Sequence, residues 1–164
     1  ALTVADADRF IQMHPTHPSV DYAFYLKGLA LFEPPDSLFD SLSGYNPANN
    51  DIGPVREAFV AYQELISRFP DSRYAPDTRR RLIYIINVLA THEVEVARYY
   101  YAMGADVAAA NRARSVLETY RTSSAVEDAL GIMIKAYARM GLEELHSDAL
   151  RVLKLNYPDS PYLN

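Results

Sequence analysis

Apolar residues recur along the chain at helical spacing. Between positions 55 and 69 they follow the i, i+3, i+4, i+7 pattern of one helix face: Val55, Ala58, Phe59, Tyr62, Leu65, Ile66 and Phe69. The alternation of apolar and polar residues that is typical of strands is not evident. The pattern predicts an all-α fold, with helices near 2–13, 19–32, 54–69, 74–103, 105–119, 124–140 and 143–156.

A short phrase occurs twice in the sequence. Pro-Asp-Ser follows an aromatic residue at 69–72 and again at 157–160. A glycine lies seventeen residues before each of these prolines. A third glycine, Gly104, predicts an equivalent anchor at Arg121, which also follows an aromatic residue. Recurrence at a fixed distance indicates a repeat architecture.

The residues around these anchors match the tetratricopeptide repeat in type and position. That repeat has an aromatic residue in its first helix, a glycine at the turn, an alanine in its second helix and a proline after it. Glycine permits positive φ at a helix end, alanine lets two helices pack closely, and proline ends the second helix. The matching residues are Tyr100 and Tyr137, Gly53, Gly104 and Gly141, and Ala58 and Ala109, with His146 in place of a third alanine.

The distances between the anchors are unequal. Arg121 lies fifty-one residues after Pro70 but thirty-seven before Pro158, and the extra fourteen residues contain no glycine or proline after Pro76. They predict one helix lengthened by about four turns. Further on, Ser-Ala-Val-Glu at 124–127 predicts a capping box at the start of the next helix.

An earlier anchor, Pro15, lies fifty-five residues before Pro70, and there the excess falls in the segment 34–53. Its proline, asparagine and glycine content predicts a loop, which we expect to be the most mobile interior part of the chain. A short apolar turn within it contains Leu38, Phe39 and Leu42. We expect this turn either to pack against the rest of the chain or to contact a partner.

The anchors divide residues 1–164 into one tetratricopeptide domain of superhelical solenoid type. Its parts are a partial repeat at 1–15, a repeat with the inserted loop at 16–70, a repeat with the extended helix at 71–121, a C-terminal repeat at 122–158 and a tail at 159–164. Because a single helix precedes the first anchor, we expect the chain to be a fragment of a longer protein.

Composition and charge exclude several classes of function. The net charge of −5 argues against a non-specific binder of nucleic acid or anionic membranes. The absence of cysteine excludes disulfides, zinc–thiolate sites and thiol nucleophiles. No apolar run approaches the roughly 18 residues that a membrane-spanning helix needs.

Few residues in the sequence are candidates for a catalytic or metal-binding site. His14 and His17 lie in a proline-rich turn. We interpret them as ordinary turn residues rather than as a pair of metal ligands. The sequence His-Glu-Val-Glu-Val at 92–96 lacks the second histidine of a zinc-protease helix. The basic run at 79–81 is interpreted as a solvated helix face, with a partner or lipid-headgroup contact as the alternative. We therefore predict a protein that is not an enzyme and that holds no cofactor or metal.

Three consecutive tyrosines precede Gly104. Neighbouring residues on a helix point about 100° apart, so one face cannot bury all three. The repeat register predicts that Tyr100 lies in the core and that Tyr99 or Tyr101 is more exposed. Exposed tyrosines are favoured in protein interfaces, although lining of a groove is equally consistent with this pattern.

Three stretches resemble the BamD family (also ComL or YfiO), the tetratricopeptide lipoproteins of the outer-membrane β-barrel assembly machinery. They are RFIQMHPTHPSVDYAFYLKGL at 9–29, FPDSRYAPDTRRRL at 69–82 and VARYYYAMGADVAAANRARSVLETY at 96–120. The resemblance covers almost the whole chain and includes the long helix. It implies a protein on the periplasmic face of the outer membrane, held by a lipid on a cysteine upstream of Ala1.

The resemblance also implies partners: the last POTRA domain of BamA, a BamC-like lipoprotein and unfolded outer-membrane protein substrates. In the family the BamA contact centres on an Asn-Arg pair, which corresponds here to Asn111 and Arg112. Tyr99, Tyr101 and Asp106 are added to this contact because they lie close by in sequence; Asp106 replaces an aromatic residue that is frequent in the family.

Arg112 is predicted to be the centre of that contact, through a bidentate bond to a carboxylate of the POTRA domain. The alternative is an intramolecular ion pair with Asp106 or Glu118, each six residues away. Under the intermolecular interpretation, replacing Arg112 by alanine should weaken binding at least tenfold and leave thermal melting nearly unchanged.

Two other classes of function remain open from the residues alone. One is a repeat module that docks on an enzyme. The other is a generic tetratricopeptide co-chaperone or regulatory module that binds peptides in its concave groove. Convergence of several basic residues on that groove, beginning with 79–81, would favour the co-chaperone.

Overall fold

A computed structural model of the chain describes residues 3–32 and 51–163. Within these ranges the backbone forms seven α-helices and one short 3₁₀ helix, with no strand. The α-helices are α1 (Val4–Met13), α2 (Val20–Leu31), α3 (Gly53–Arg68), α4 (Ala75–Ala102), α5 (Asp106–Thr119), α6 (Val126–Met140) and α7 (Glu143–Asn156), and the 3₁₀ helix is Pro161–Leu163. The predicted all-α, tetratricopeptide-type fold is confirmed, and each helix boundary lies within about two residues of its predicted place.

The four anchors of the repeat adopt the same hydrogen-bonded turn. In each one a backbone amide donates to the carbonyl three residues earlier, at 2.9–3.1 Å: His17 to His14, Ser72 to Phe69, Ser123 to Tyr120 and Ser160 to Tyr157. A second bond of the same kind follows each of these, because the residue three positions later donates its amide to the carbonyl of the first donor. The second donors are Val20, Ala75, Val126 and Leu163. The repeated phrase in the sequence is therefore a repeated structure.

The glycines and alanines of the repeat follow the expected pattern with one exception. Gly104 and Gly141 have φ of 78° and 69°, the left-handed conformation that ends α4 and α6. Gly53 does not: it is the first residue of α3 and has no positive φ, so its assignment as a turn glycine is wrong. Ala58 and Ala109 are fully buried, as close helix packing requires.

The predicted capping box at 124–127 does not begin α6. The residue at the N-cap of α6 is Ala125, which makes no side-chain capping bond, because the turn after Tyr120 delays the helix to Val126. A capping box does occur at the start of α1: Thr3 accepts a hydrogen bond from the amide of Asp6, whose carboxylate accepts one from the amide of Thr3. The predicted loop at 34–53, with Leu38, Phe39 and Leu42, lies almost entirely outside the described residues.

The chain divides into two compact units, residues 1–88 and 89–164. In the first unit α1 packs on α2 and α2 packs on α3. A cluster of buried residues holds these helices and the start of α4 together: Val20, Phe24, Leu65 and Ala75, surrounded by Ile11, Tyr25, Ile66, Phe69 and Tyr74.

In the second unit α6 packs between α5 and α7. Eight residues of α6 are buried, more than in any other helix that lies wholly within one unit: Ala129, Leu130, Gly131, Ile132, Met133, Ile134, Ala136 and Tyr137. Gly131 is required there because the ring of Tyr162 lies 2.5 Å from where a Cβ would be. The central position of α6 fixes α5, which carries the predicted partner-binding residues Asp106, Asn111 and Arg112.

Candidate partner-binding site

A shallow pocket of about 410 Å³ lies in the second unit at the predicted contact residues. It is lined by Tyr100 from α4 and by Ala108, Asn111, Arg112 and Ser115 from α5. Positions 108, 111, 112 and 115 recur at helical spacing, so they share one face of α5. Asn111 and Arg112 are both exposed, which leaves their polar groups accessible at the pocket.

Arg112 forms an ion pair that the sequence analysis did not consider. Its Nη1 donates to Oε2 of Glu93 on α4 at 3.1 Å. The expected intramolecular partners were Asp106 and Glu118, and the structure replaces them by a residue nineteen positions away on another helix. No sequence spacing could reveal this pair, because it depends on how α5 packs beside α4.

The predicted burial of the three consecutive tyrosines is confirmed only in part. Tyr99 is 63% exposed, which confirms that at least one of the neighbours of Tyr100 faces solvent. Tyr100 itself is half-buried and lines the pocket, so its predicted core position is wrong. The rings of Tyr99 and Tyr100 meet edge to face with centroids 5.9 Å apart. Aromatic surface therefore continues from the pocket to its exposed rim.

Tyr101 and Asp106 belong to a separate cluster around Arg139 of α6. The guanidinium of Arg139 lies 4.4 Å from the ring centroid of Tyr101 and donates to the carbonyl of that residue. Nε of Arg139 is 3.2 Å from Oδ2 of Asp106, whose side chain is only 16% exposed. These contacts tie the end of α4 and the start of α5 to α6. Tyr101 and Asp106, like Arg112, thus have structural partners within the second unit.

The first unit contains a polar network that the sequence analysis missed. Oδ2 of Asp77 accepts hydrogen bonds from Tyr25 at 2.8 Å and from Nε of Arg81 at 2.6 Å. Burial alone raises the pKa of Asp77, but these two bonds outweigh burial and hold the pKa below its usual value. Burial raises the pKa of the neighbouring Tyr62. Within residues 3–32 and 51–163, the hydroxyl of Tyr62 and Nη1 of Arg81 are enclosed and have no hydrogen-bond partner.

The three arginines at 79–81 have different environments and do not form one basic patch. Arg81 donates to the carboxylate of Asp77, and Arg79 donates to the carbonyl of Pro70 at 3.2 Å. Arg80 is exposed. This agrees with the interpretation of the run as a largely solvated helix face.

The two histidines of the first turn pack around Phe10. Their ring centroids lie 5.3 and 5.2 Å from that of Phe10, and Nδ1 of His17 accepts a hydrogen bond from the amide of Ser19. Across residues 3–32 and 51–163, no group of three or more acidic or histidine side chains is arranged to hold a metal ion. Nor does any helix in those ranges have the length and apolar character needed to cross a membrane.

The sequence matches the YfiO family, described as outer membrane lipoprotein, over residues 1–153. The chain belongs to this family. Among its relatives, the outer membrane protein assembly factor BamD of Neisseria meningitidis serogroup A is 41% identical over 160 residues, 98% of this chain and 60% of the relative. The proteins of the same name from Xylella fastidiosa strain 9a5c and Vibrio cholerae are 34% and 31% identical, covering 98% and 95% of this chain and 55% and 65% of the relatives.

The chain thus spans less than two thirds of the length of these relatives. The YfiO family match includes the whole of α4, α5 and α6, and with them the pocket residues. The resemblance drawn from three stretches of sequence is therefore confirmed.

Proposed function

We propose that this chain is a non-enzymatic scaffold of the β-barrel assembly machinery. In this role it binds the last POTRA domain of BamA and a BamC-like lipoprotein, and it supports the folding and insertion of outer-membrane β-barrel proteins. Membership of the YfiO family supports this role, as do relatives named outer membrane protein assembly factor. The same membership supports a location on the periplasmic face of the outer membrane, with a lipid anchor on the full-length protein.

The observation that carries the proposed BamA contact is the exposed pair Asn111 and Arg112 on one wall of the pocket. A guanidinium has five N–H donors in a planar fork, and Glu93 uses Nη1. The remaining edge can bind a carboxylate of the partner, while the exposed ring of Tyr99 adds contact area at the rim. Tyr101 and Asp106 take part through Arg139, whose side chain is 42% exposed.

Isothermal titration of a BamA POTRA fragment into the chain tests the contact. We expect Arg112→Ala to weaken binding at least tenfold, because truncation of a central arginine typically costs about 2 kcal/mol. Arg151→Ala is the matched control, since that arginine is also exposed and paired within its own helix. Equal affinities of the wild type and Arg112→Ala would remove Arg112 from the interface.

The alternative function is a generic co-chaperone or docking module that binds peptides through converging basic residues. The contacts of Arg79 and Arg81 give it little support, because both side chains already bind groups of this chain. Arg79→Ala together with Arg80→Ala separates the two functions. The double variant should retain its affinity for the POTRA fragment if the proposed contact is correct.

A further inference from the structure

Among residues 3–32 and 51–163, Glu93 is the only charged residue that the fold buries. It is 5% exposed, whereas the side chain of Arg112, its partner, is 49% exposed. Carboxylates are seldom buried unless a cation or several hydrogen bonds accompany them. The pair therefore has one end fixed within the second unit and one end at the surface.

The position of Glu93 on α4 relates it directly to the pocket. Glu93 and Tyr100 are seven residues apart on the same helix, so both lie on one face about two turns apart. Tyr100 lines the pocket, and Glu93 binds the arginine that forms its opposite wall. On α5, the hydroxyl of Ser115 donates to the carbonyl of Arg112 at 2.7 Å.

The geometry points to Glu93 as a positioning residue. Its carboxylate holds the guanidinium of Arg112 against the wall of the pocket and turns the free edge toward an acidic side chain of the partner. This inference rests on the proposed function of the same site. A long side chain that is already fixed loses less conformational entropy when a partner binds, so the pair increases affinity without touching the partner.

Two substitutions separate the orienting role of Glu93 from its charge. Glu93→Gln keeps an oxygen that can accept from Nη1, and Glu93→Ala removes the acceptor. In titrations with the BamA POTRA fragment we expect Glu93→Ala to weaken binding about fivefold or more, within the range of couplings between contacting residues. Glu93→Gln should stay within about twofold of the wild type, since its amide oxygen still accepts a hydrogen bond from the cationic guanidinium of Arg112.

A double-mutant cycle shows whether Glu93 acts through Arg112. In the Arg112→Ala background, the further change Glu93→Ala should cause no additional loss of affinity. An equal loss with and without Arg112 would mean that Glu93 supports the fold rather than the guanidinium, and would overturn the inference. Unchanged affinity of Glu93→Ala, where Arg112→Ala does weaken binding, would overturn it as well.

A measurement on the free protein separates failure of the inference from failure of the proposed function. The ¹⁵N relaxation of Nε of Arg112 reports the mobility of its guanidinium without any partner. We expect a rigid side chain in the wild type and in Glu93→Gln, and a mobile one in Glu93→Ala. Equal mobility in all three would overturn positioning by Glu93. If instead Arg112→Ala keeps full affinity while the guanidinium of Arg112 becomes mobile in Glu93→Ala, the proposed contact fails and the positioning stands.

Discussion

Individual side chains in this protein are placed by partners that are remote in sequence. Asp106 turns toward Arg139, thirty-three residues later, and Arg112 toward Glu93, nineteen residues earlier. In both pairs the carboxylate is the more buried member. Removing either arginine leaves a largely buried anion without that cation, so we expect the replacement of either one to lower stability.

The pair with Glu93 changes the expected effect of Arg112→Ala on stability. We now expect a cost of about 1–3 kcal/mol rather than nearly unchanged melting, because a buried acceptor loses its charged donor. For a chain of this size that lowers the melting temperature by roughly 2–4 °C per kcal/mol. Differential scanning calorimetry of Arg112→Ala measures it. Arg112→Lys, which keeps the cation, should lose less, and equal melting of both variants would contradict the role of the pair.

The network around Asp77 predicts a dependence of stability on pH. Because the folded-state pKa of Asp77 is depressed, its contribution is complete above the unfolded-state pKa of about 4 and is lost as the pH falls through the folded-state value. Asp77→Asn should therefore melt below the wild type at neutral pH, and the difference should shrink toward about pH 3. Asp71→Asn, at an exposed position, serves as the control in thermal melts across this range. A difference that grows on acidification would exclude this account.

At the scale of elements, the long helix is the feature that distinguishes this repeat protein. Helix α4 runs for 28 residues, about twice the length of α5 or α7. Its sequence has no glycine and no proline after Pro76, which lies in the first turn where proline is tolerated. Carrying both Glu93 and Tyr100, α4 supplies one wall of the pocket and the support for the other.

Interrupting α4 should be more damaging than removing a side chain from it. Ile83 is 64% exposed, so Ile83→Ala should cost little. Ile83→Pro removes an intrahelical hydrogen bond and introduces a clash with the preceding turn, at a cost of about 3 kcal/mol or more. Circular dichroism at 222 nm with thermal melting compares the two variants. Similar behaviour of both would show that α4 is not continuous at this point in solution.

At the scale of the whole molecule, the chain divides into two compact units, and each unit contains buried residues. In the first, Gly28 lies directly against the ring of the fully buried Tyr62. In the second, Gly131 lies against Tyr162. Each unit therefore contains a glycine whose replacement would disturb it from within.

Gly28→Ala tests whether the units respond separately. The added methyl group overlaps the ring of Tyr62, and overpacking of this kind typically costs about 1–3 kcal/mol. Hydrogen exchange should accelerate in α2 and α3 more than in α6 and α7. Gly53→Ala is the control, because the described atom nearest to its methyl group is Oδ1 of the exposed Asp51, at 3.1 Å. Equal acceleration in both units would contradict separate responses.

The sequence by itself determined the helices, their order and the register of the repeat. Helix periodicity and the anchor prolines are local signals, and the same turn recurs at 14–17, 69–72, 120–123 and 157–160 because the same local hydrogen bonds form there. It also indicated the pair Asn111 and Arg112, through resemblance to a family. Local signals gave a wrong prediction at two places. The turn after Tyr120 makes Ala125 the N-cap of α6 in place of Ser124, and Gly53 begins α3 instead of lying in a turn.

The tertiary structure alone decided the partners of the charged residues. Glu93 meets Arg112 because α4 lies beside α5, and Arg139 covers Asp106 and Tyr101 because α6 reaches the junction of those helices. Burial likewise depends on the packed neighbour: Tyr100 has the register of a core residue but lines an open pocket. Helical spacing fixes which residues share a face, whereas what that face meets is set by packing between elements.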